Sequence, residues 1–163
     1  MRMKKECVML IGVPGVGKTT YANELKTKEK DKDCKIFSNK DVENEFYNMT
    51  DDQVFAKVRE RIENFLNSTK TKEKDRLAIY DATNIKKERR KIFCSRMNEQ
   101  DIEVNAIFFN DTLENCLKKN AMRDEQALPH NLEMDYYDLE VPYYNEGFKS
   151  IEVINMEEVE GCE

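Results

Sequence analysis

The chain has 163 residues, 39% hydrophobic and 37% charged, with a net charge of -6; that length and apolar share suit one globular domain with a real core. Eight Phe and seven Tyr argue against disorder, and no apolar run approaches the roughly 20 residues that cross a bilayer, so a membrane-spanning class is excluded. Residues 1–96 hold 23 Lys and Arg against 16 Asp and Glu, and residues 97–163 hold 4 against 17, so a broad nucleic-acid-binding footprint is disfavoured while the basic half could hold a short polyanion locally.

The chain opens on a basic stretch like that of a signal peptide. Gly12, Pro14 and Gly15 interrupt its apolar run and no small-residue cleavage site follows, so it reads as the first strand of a cytoplasmic protein. Further apolar runs at 35–37, 77–80, 104–109 and 151–154 join the first, at 7–11, as predicted buried strands. Helices are predicted to open at Lys18, to cover about 51–66 with Val54, Phe55, Val58, Ile62, Phe65 and Leu66 on one face, to run over about 86–98, and to follow Asp111. Two Lys/Asp/Thr-rich stretches, 27–33 and 68–75, read as loops. Alternating strands and helices predict an α/β fold: one parallel sheet of about five strands, helices on both faces, ligands beyond the carboxyl ends of the strands. Cys7, Cys34, Cys94, Cys116 and Cys162 are odd in number and none stands in a C-x-x-C pair, so neither a disulfide framework nor a zinc site is suggested.

Gly12-Val13-Pro14-Gly15-Val16-Gly17-Lys18-Thr19 matches G-x-x-x-x-G-K-[ST] between a predicted strand and helix. Glycines let successive N–H groups converge on phosphates, and the helix start adds its positive end. Lys18 is expected on the β and γ phosphates, Thr19 on Mg²⁺, and Gly12, Pro14, Gly15, Val16, Gly17 and Thr20 around the phosphates. ATP and Mg²⁺ are the expected cofactors of a P-loop NTPase fold filling 1–163. Asp41 follows the second predicted strand, where it could take the proton of an attacking hydroxyl or cap the next helix. Asp81 ends the run Leu77-Ala78-Ile79-Tyr80, the form of a Walker B element that helps hold Mg²⁺. On the helical wheel of the basic run after Asn84, Lys86, Lys87, Arg90 and Lys91 are expected to face solvent. Arg89 shares the sector of Ile85 and Ile92, one turn from the strand end, where it could meet an anion.

Together the phosphate loop, Asn39-Lys40-Asp41, and Thr83-Asn84 followed by Glu88-Arg89-Arg90 resemble the motifs of phage-type 5′-hydroxyl polynucleotide kinases, within the broader small P-loop kinases. Leu117-Lys118-Lys119-Asn120-Ala121-Met122-Arg123, ahead of Leu128-Pro129, resembles their lid, placed here near 117–130. The resemblance implies that Asp41 is the general base, that Arg123 contacts the transferring phosphate, and that Thr83, with Asn84, lies on the acceptor side. Two positions depart from the pattern. Family members carry an arginine where Asn44 stands, which leaves Arg89 as the candidate for the acceptor's phosphate, and Ala82 separates Asp81 from Thr83. Without a D-x-D-x-T motif, a fused 3′-phosphatase is not expected. The expected activity is transfer of the γ phosphate to a hydroxyl, with a 5′-OH DNA or RNA end as partner. The alternatives are a kinase of a small metabolite or nucleotide sugar, and a non-catalytic nucleotide-binding switch or regulatory ATPase. His130 is expected at a helix start, and Tyr136, Tyr137, Tyr143 and Tyr144 at the edge of the core.

Overall fold

The computed structural model describes residues 3–68 and 74–160; Cys162 and residues 69–73 of the predicted loop lie outside them. The strands are β1 (Lys5–Ile11), β2 (Asp33–Ser38), β3 (Arg76–Asp81), β4 (Glu103–Asn110) and β5 (Ser150–Asn155), and the helices α1 (Lys18–Lys28), α2 (Asn39–Glu45), α3 (Asp51–Asn67), α4 (Lys87–Glu99), α5 (Leu113–Ala121) and α6 (Pro129–Asp138), with a 3-10 turn over Tyr144–Glu146. All strand pairs are parallel, in the order β2-β3-β1-β4-β5. The expected fold is therefore observed.

Two apolar layers sandwich the sheet. On one face Val54, Phe55, Val58, Ile62 and Leu66 of α3 and Phe93, Cys94 and Met97 of α4 pack against Met9, Tyr80 and Phe108. On the other, Val16 and Ala22, Cys116 of α5 and Leu132 of α6 meet Leu10, Ile79 and Phe109. The central strands are buried on both sides, which is why they read as unbroken apolar runs. Because β1 lies in the middle, its neighbours diverge to either side from its carboxyl end, and the crevice of the fold opens there.

Four expectations change. Ser38, not Asp41, caps α2: its Oγ accepts from the Asp41 backbone N–H at 3.1 Å, which leaves the Asp41 carboxylate outside the cap. On α4 the inward sector is Arg90, Phe93, Cys94 and Met97, while Ile92 is exposed. Arg90 is buried because Glu146, also buried, takes its Nε and Nη2 at 2.7 and 3.1 Å, and the Asn84 carbonyl takes Nη1 at 2.9 Å. A charge so paired and bonded can replace an apolar residue on an inner face. The β5 strand is an edge rather than a buried strand, with Val153 half exposed. Of the four tyrosines expected at the core edge, Tyr136 alone packs on the core, while Tyr137, Tyr143 and Tyr144 are exposed. His130 does stand in the first turn of α6, after Pro129 at its start.

Candidate active site

β1 ends at Ile11 and α1 begins at Lys18, so the intervening residues must reverse the chain in six positions. Gly15 and Gly17 do this with φ of +79° and +120°, a region side-chain-bearing residues rarely enter. Gly17 sits at the N-cap of α1 with no side-chain cap, leaving the first helical N–H groups directed into the crevice. Lys18 is buried, its Nζ donating to the Gly12 and Val13 carbonyls at 2.7 Å each. Burial pushes its pKa down to about 8, opposed by Asp81 and Asp135, while the positive Arg123 adds to the lowering. Burial in turn pushes the Asp135 carboxyl up, helped by Asp138 and opposed by Lys18. Thr20 is exposed on the first turn of α1.

The neighbouring strand β3 ends at Asp81, and Thr19 Oγ1 donates to Asp81 Oδ2 at 2.8 Å. A hydroxyl and a carboxylate so joined are hard oxygen donors of the type that suits Mg²⁺. Past Asp81 the chain is locked to the phosphate loop: Gly12 N–H donates to the Thr83 carbonyl at 3.0 Å, and Asn84, in a left-handed conformation, donates from Nδ2 to the Leu10 carbonyl at 2.9 Å. Arg90 holds the Asn84 carbonyl from behind.

β2 pairs with β3 so that Ser38 stands beside Asp81. Asp41 lies in the first turn beyond that pair. Its exposed carboxylate has no hydrogen bond or ion pair among the described residues. The α2 start is fixed by the buried Tyr80, whose hydroxyl donates to Asn39 Oδ1 at 2.7 Å and whose pKa burial raises. Arg89 does not reach the strand end. It donates to Asp52 Oδ1 at 3.0 Å, at the start of α3, and Asn44 is exposed on α2.

Across the crevice, the loop between α5 and α6 is closed by the buried Asn120, which accepts from the Ala127 N–H at 2.9 Å and donates to its carbonyl at 2.8 Å. That closure lays Arg123 over the phosphate loop. A Cβ on Gly15 would stand 3.0 Å from Arg123 Cδ and 3.2 Å from Nη1, so the arginine side chain packs directly against this glycine. Two residues on, Glu125 pairs with Lys40 of α2, which ties this loop to the helix carrying Asp41. The structure thus brings together Lys18, Thr19, Asp81, Thr83, Asn84 and Arg123 around the loop, with Asp41 in the first turn of the helix that follows the adjoining strand, and sets Arg89 aside. Sequence reasoning missed Asn120, Asp135, Glu146 and the Lys40–Glu125 pair, because each acts through a partner that sequence spacing does not reveal.

A family model described as an AAA domain matches residues 7–135. Among solved structures, Chaetomium thermophilum Kti12 in complex with ADP-AlF3 is similar with a TM-score of 0.74 at 14% identity, covering 91% of this chain and 88% of that one. A fungal RNA kinase gives 0.67 at 12% identity, covering 99% and 78%. A Deinococcus radiodurans tunicamycin resistance protein gives 0.54 at 13% identity, covering 91% and 86%. At these identities the structures share the fold. No curated protein sequence matches the chain. Among the described residues, no helix is long and apolar enough to cross a membrane.

Proposed function

The chain belongs to the AAA domain family, and from that premise we propose that it is a kinase, moving the γ phosphate of ATP to a hydroxyl with the 5′-OH of a DNA or RNA end as acceptor. The observation that carries this reading is Asp41: a carboxylate with no hydrogen bond or ion pair among the described residues, in the first turn of α2 just beyond the paired Ser38 and Asp81. A nucleotide-binding switch has no need of such a group, whereas an attacking hydroxyl needs a base within hydrogen-bond reach.

In this reading the loop N–H groups cradle the phosphates, and Lys18 exchanges its two loop carbonyls for β and γ oxygens. Thr19 and Asp81 would hold Mg²⁺, which when bound neutralises charge on the phosphates. Asp41 orients the acceptor hydroxyl and takes its proton as the new P–O bond forms. Arg123 offsets charge on the γ oxygens from the opposite side, and the loop carrying it acts as the lid. The resemblance of Asn39-Lys40-Asp41 and Thr83-Asn84 to polynucleotide kinases supports a nucleic-acid end, as does the similarity to a structure named an RNA kinase. One pair of observations favours the second reading, a small-metabolite acceptor: Arg89 is occupied by Asp52, and Asn44 offers no charge.

Incubation with γ-labelled ATP and a panel of 5′-OH oligonucleotides, nucleosides and sugars tests the two readings. Label on oligonucleotide 5′ ends supports the first; label on a free nucleoside or sugar alone supports the second and removes the first.

Two further results are expected. Arg123→Ala lowers kcat more than it weakens ATP binding, since the lid arginine meets the phosphoryl group chiefly in the closed complex; an equal loss in both would make it a ground-state contact. For Lys18 the sign is set by its pKa of about 8. Above that pH the amine of the free protein is neutral, while phosphates favour the ammonium, so binding takes up a proton. ATP affinity is therefore flat below pH 8 and falls by about tenfold per pH unit above it, until the pKa of the bound form is reached. Calorimetry near pH 9 in two buffers of different ionisation enthalpy reads the uptake directly; identical heats would contradict it.

A further inference from the structure

Asn115 and Lys119 lie four residues apart on one face of α5, and Asp111, just before the Thr112 N-cap, folds its carboxylate back toward that face. The Asp111 carboxylate, 3% exposed, accepts from the Thr112 N–H at 2.8 Å, from Asn115 Nδ2 at 2.8 and 3.1 Å, and from Lys119 Nζ at 2.8 Å. Two arms leave this hub. Lys119 Nζ also donates to the Val16 carbonyl, 3.3 Å away in the phosphate loop. Asn115 donates to the Glu157 carbonyl at 2.9 Å and accepts from the Val159 N–H at 2.8 Å, pinning the segment after β5. That segment passes Gly17 closely, with Met156 Cε 3.4 Å from where a Cβ on Gly17 would stand. A carboxylate this deep is costly unless its oxygens are bonded, and none of the transfer roles assigned above uses it.

We propose that Asp111 and Lys119 are positioning residues for the phosphate loop. The peptide unit between Val16 and Gly17 is planar and trans, so its C=O and N–H point in opposite directions. Holding the Val16 carbonyl on the outside of the loop therefore fixes the aim of the Gly17 N–H toward the inside, where phosphate oxygens would lie. The buried carboxylate orients the ammonium, and the ammonium orients the peptide. The inference rests on the nucleotide-binding part of the reading above and not on the identity of the acceptor.

Binding of ATP and of inorganic tripolyphosphate, measured by calorimetry without an acceptor, tests it. Lys119→Met and Asp111→Asn each weaken both ligands about tenfold, the scale of one lost charge-assisted hydrogen bond. The double variant is no weaker than about tenfold, because both changes break one strut. Lys119→Arg, which keeps a long donor, restores most of the affinity. Additive loss near a hundredfold in the double variant, or tripolyphosphate binding untouched while ATP weakens, would overturn the positioning role in favour of a direct contact by Lys119. Should Asp111→Asn fail to fold, the Lys119 pair decides: loss with Met and recovery with Arg supports the strut, and wild-type binding by Lys119→Met removes it. A wild-type protein that binds neither ligand would instead remove the nucleotide reading itself.

Discussion

Lys18→Ala lowers phosphoryl transfer by about 10²-fold or more, on the order of 3 kcal/mol of transition-state stabilisation. The size follows from where the ammonium sits. Lys18 is buried, so its field is screened little, and its two present partners, the Gly12 and Val13 carbonyls, belong to the loop that would cradle the phosphates. Exchanging those carbonyls for phosphate oxygens needs no large movement of the side chain, and the interaction strengthens as charge shifts during transfer. Lys18→Ala also leaves two carbonyls without their donor, so part of any loss in ATP affinity reports loop relaxation. The informative quantity is therefore the single-turnover rate at saturating ATP. A wild-type rate in that assay would remove the kinase reading.

Asp41→Asn is expected to lower kcat by about 10²-fold or more with ATP affinity little changed, since an amide keeps the size of the side chain but cannot take the acceptor proton. The structure sharpens this prediction, because the helix cap belongs to Ser38 and the Asp41 side chain supports no neighbour among the described residues. Thermal stability should move by no more than the few tenths of a kcal/mol usual for an exposed site. A variant of normal stability and full activity would take Asp41 out of the chemistry. One that unfolds would show a structural role that the hydrogen bonds do not reveal.

The phosphate loop was legible in the sequence because its chemistry dictates the covalent pattern: glycine takes the positive φ at positions 15 and 17 without steric cost, and a long amine reaches back over the loop. The central strands were legible because a sheet covered on both faces needs apolar residues at successive positions, which the edge strand β5 does not. Ends were legible less well, since β2 and α2 meet at a cap where Ser38 and Asp41 are equally good oxygen acceptors and only the backbone direction decides between them. The α4 helix was misread for a different reason. Its inner face carries Arg90, whose burial depends on Glu146, 56 residues away, and its outer face carries Ile92; a helical wheel built on hydrophobicity alone assigns both to the wrong side. The same holds around the site. Asn120 closes the loop between α5 and α6 through a side chain whose role only the turn geometry shows, whereas Lys40 meets Glu125 at a separation of 85 residues and Lys119 reaches Val16 at 103, so these two pairs exist only once the sheet has set its strand order. The separation of Arg89 from the strand end has a similar origin, because the start of α3 brings Asp52 within reach of it.

Transfer to an acceptor and hydrolysis by water can be told apart in one reaction. With γ-labelled ATP, Mg²⁺ and a saturating 5′-OH oligonucleotide, the partition of label between the oligonucleotide 5′ end and inorganic phosphate should favour the 5′ end in the wild-type protein, and the 5′-end label should fall with Asp41→Asn. Label appearing only as inorganic phosphate, at a rate indifferent to the oligonucleotide and to Asp41, would contradict the account and leave a regulatory ATPase in its place.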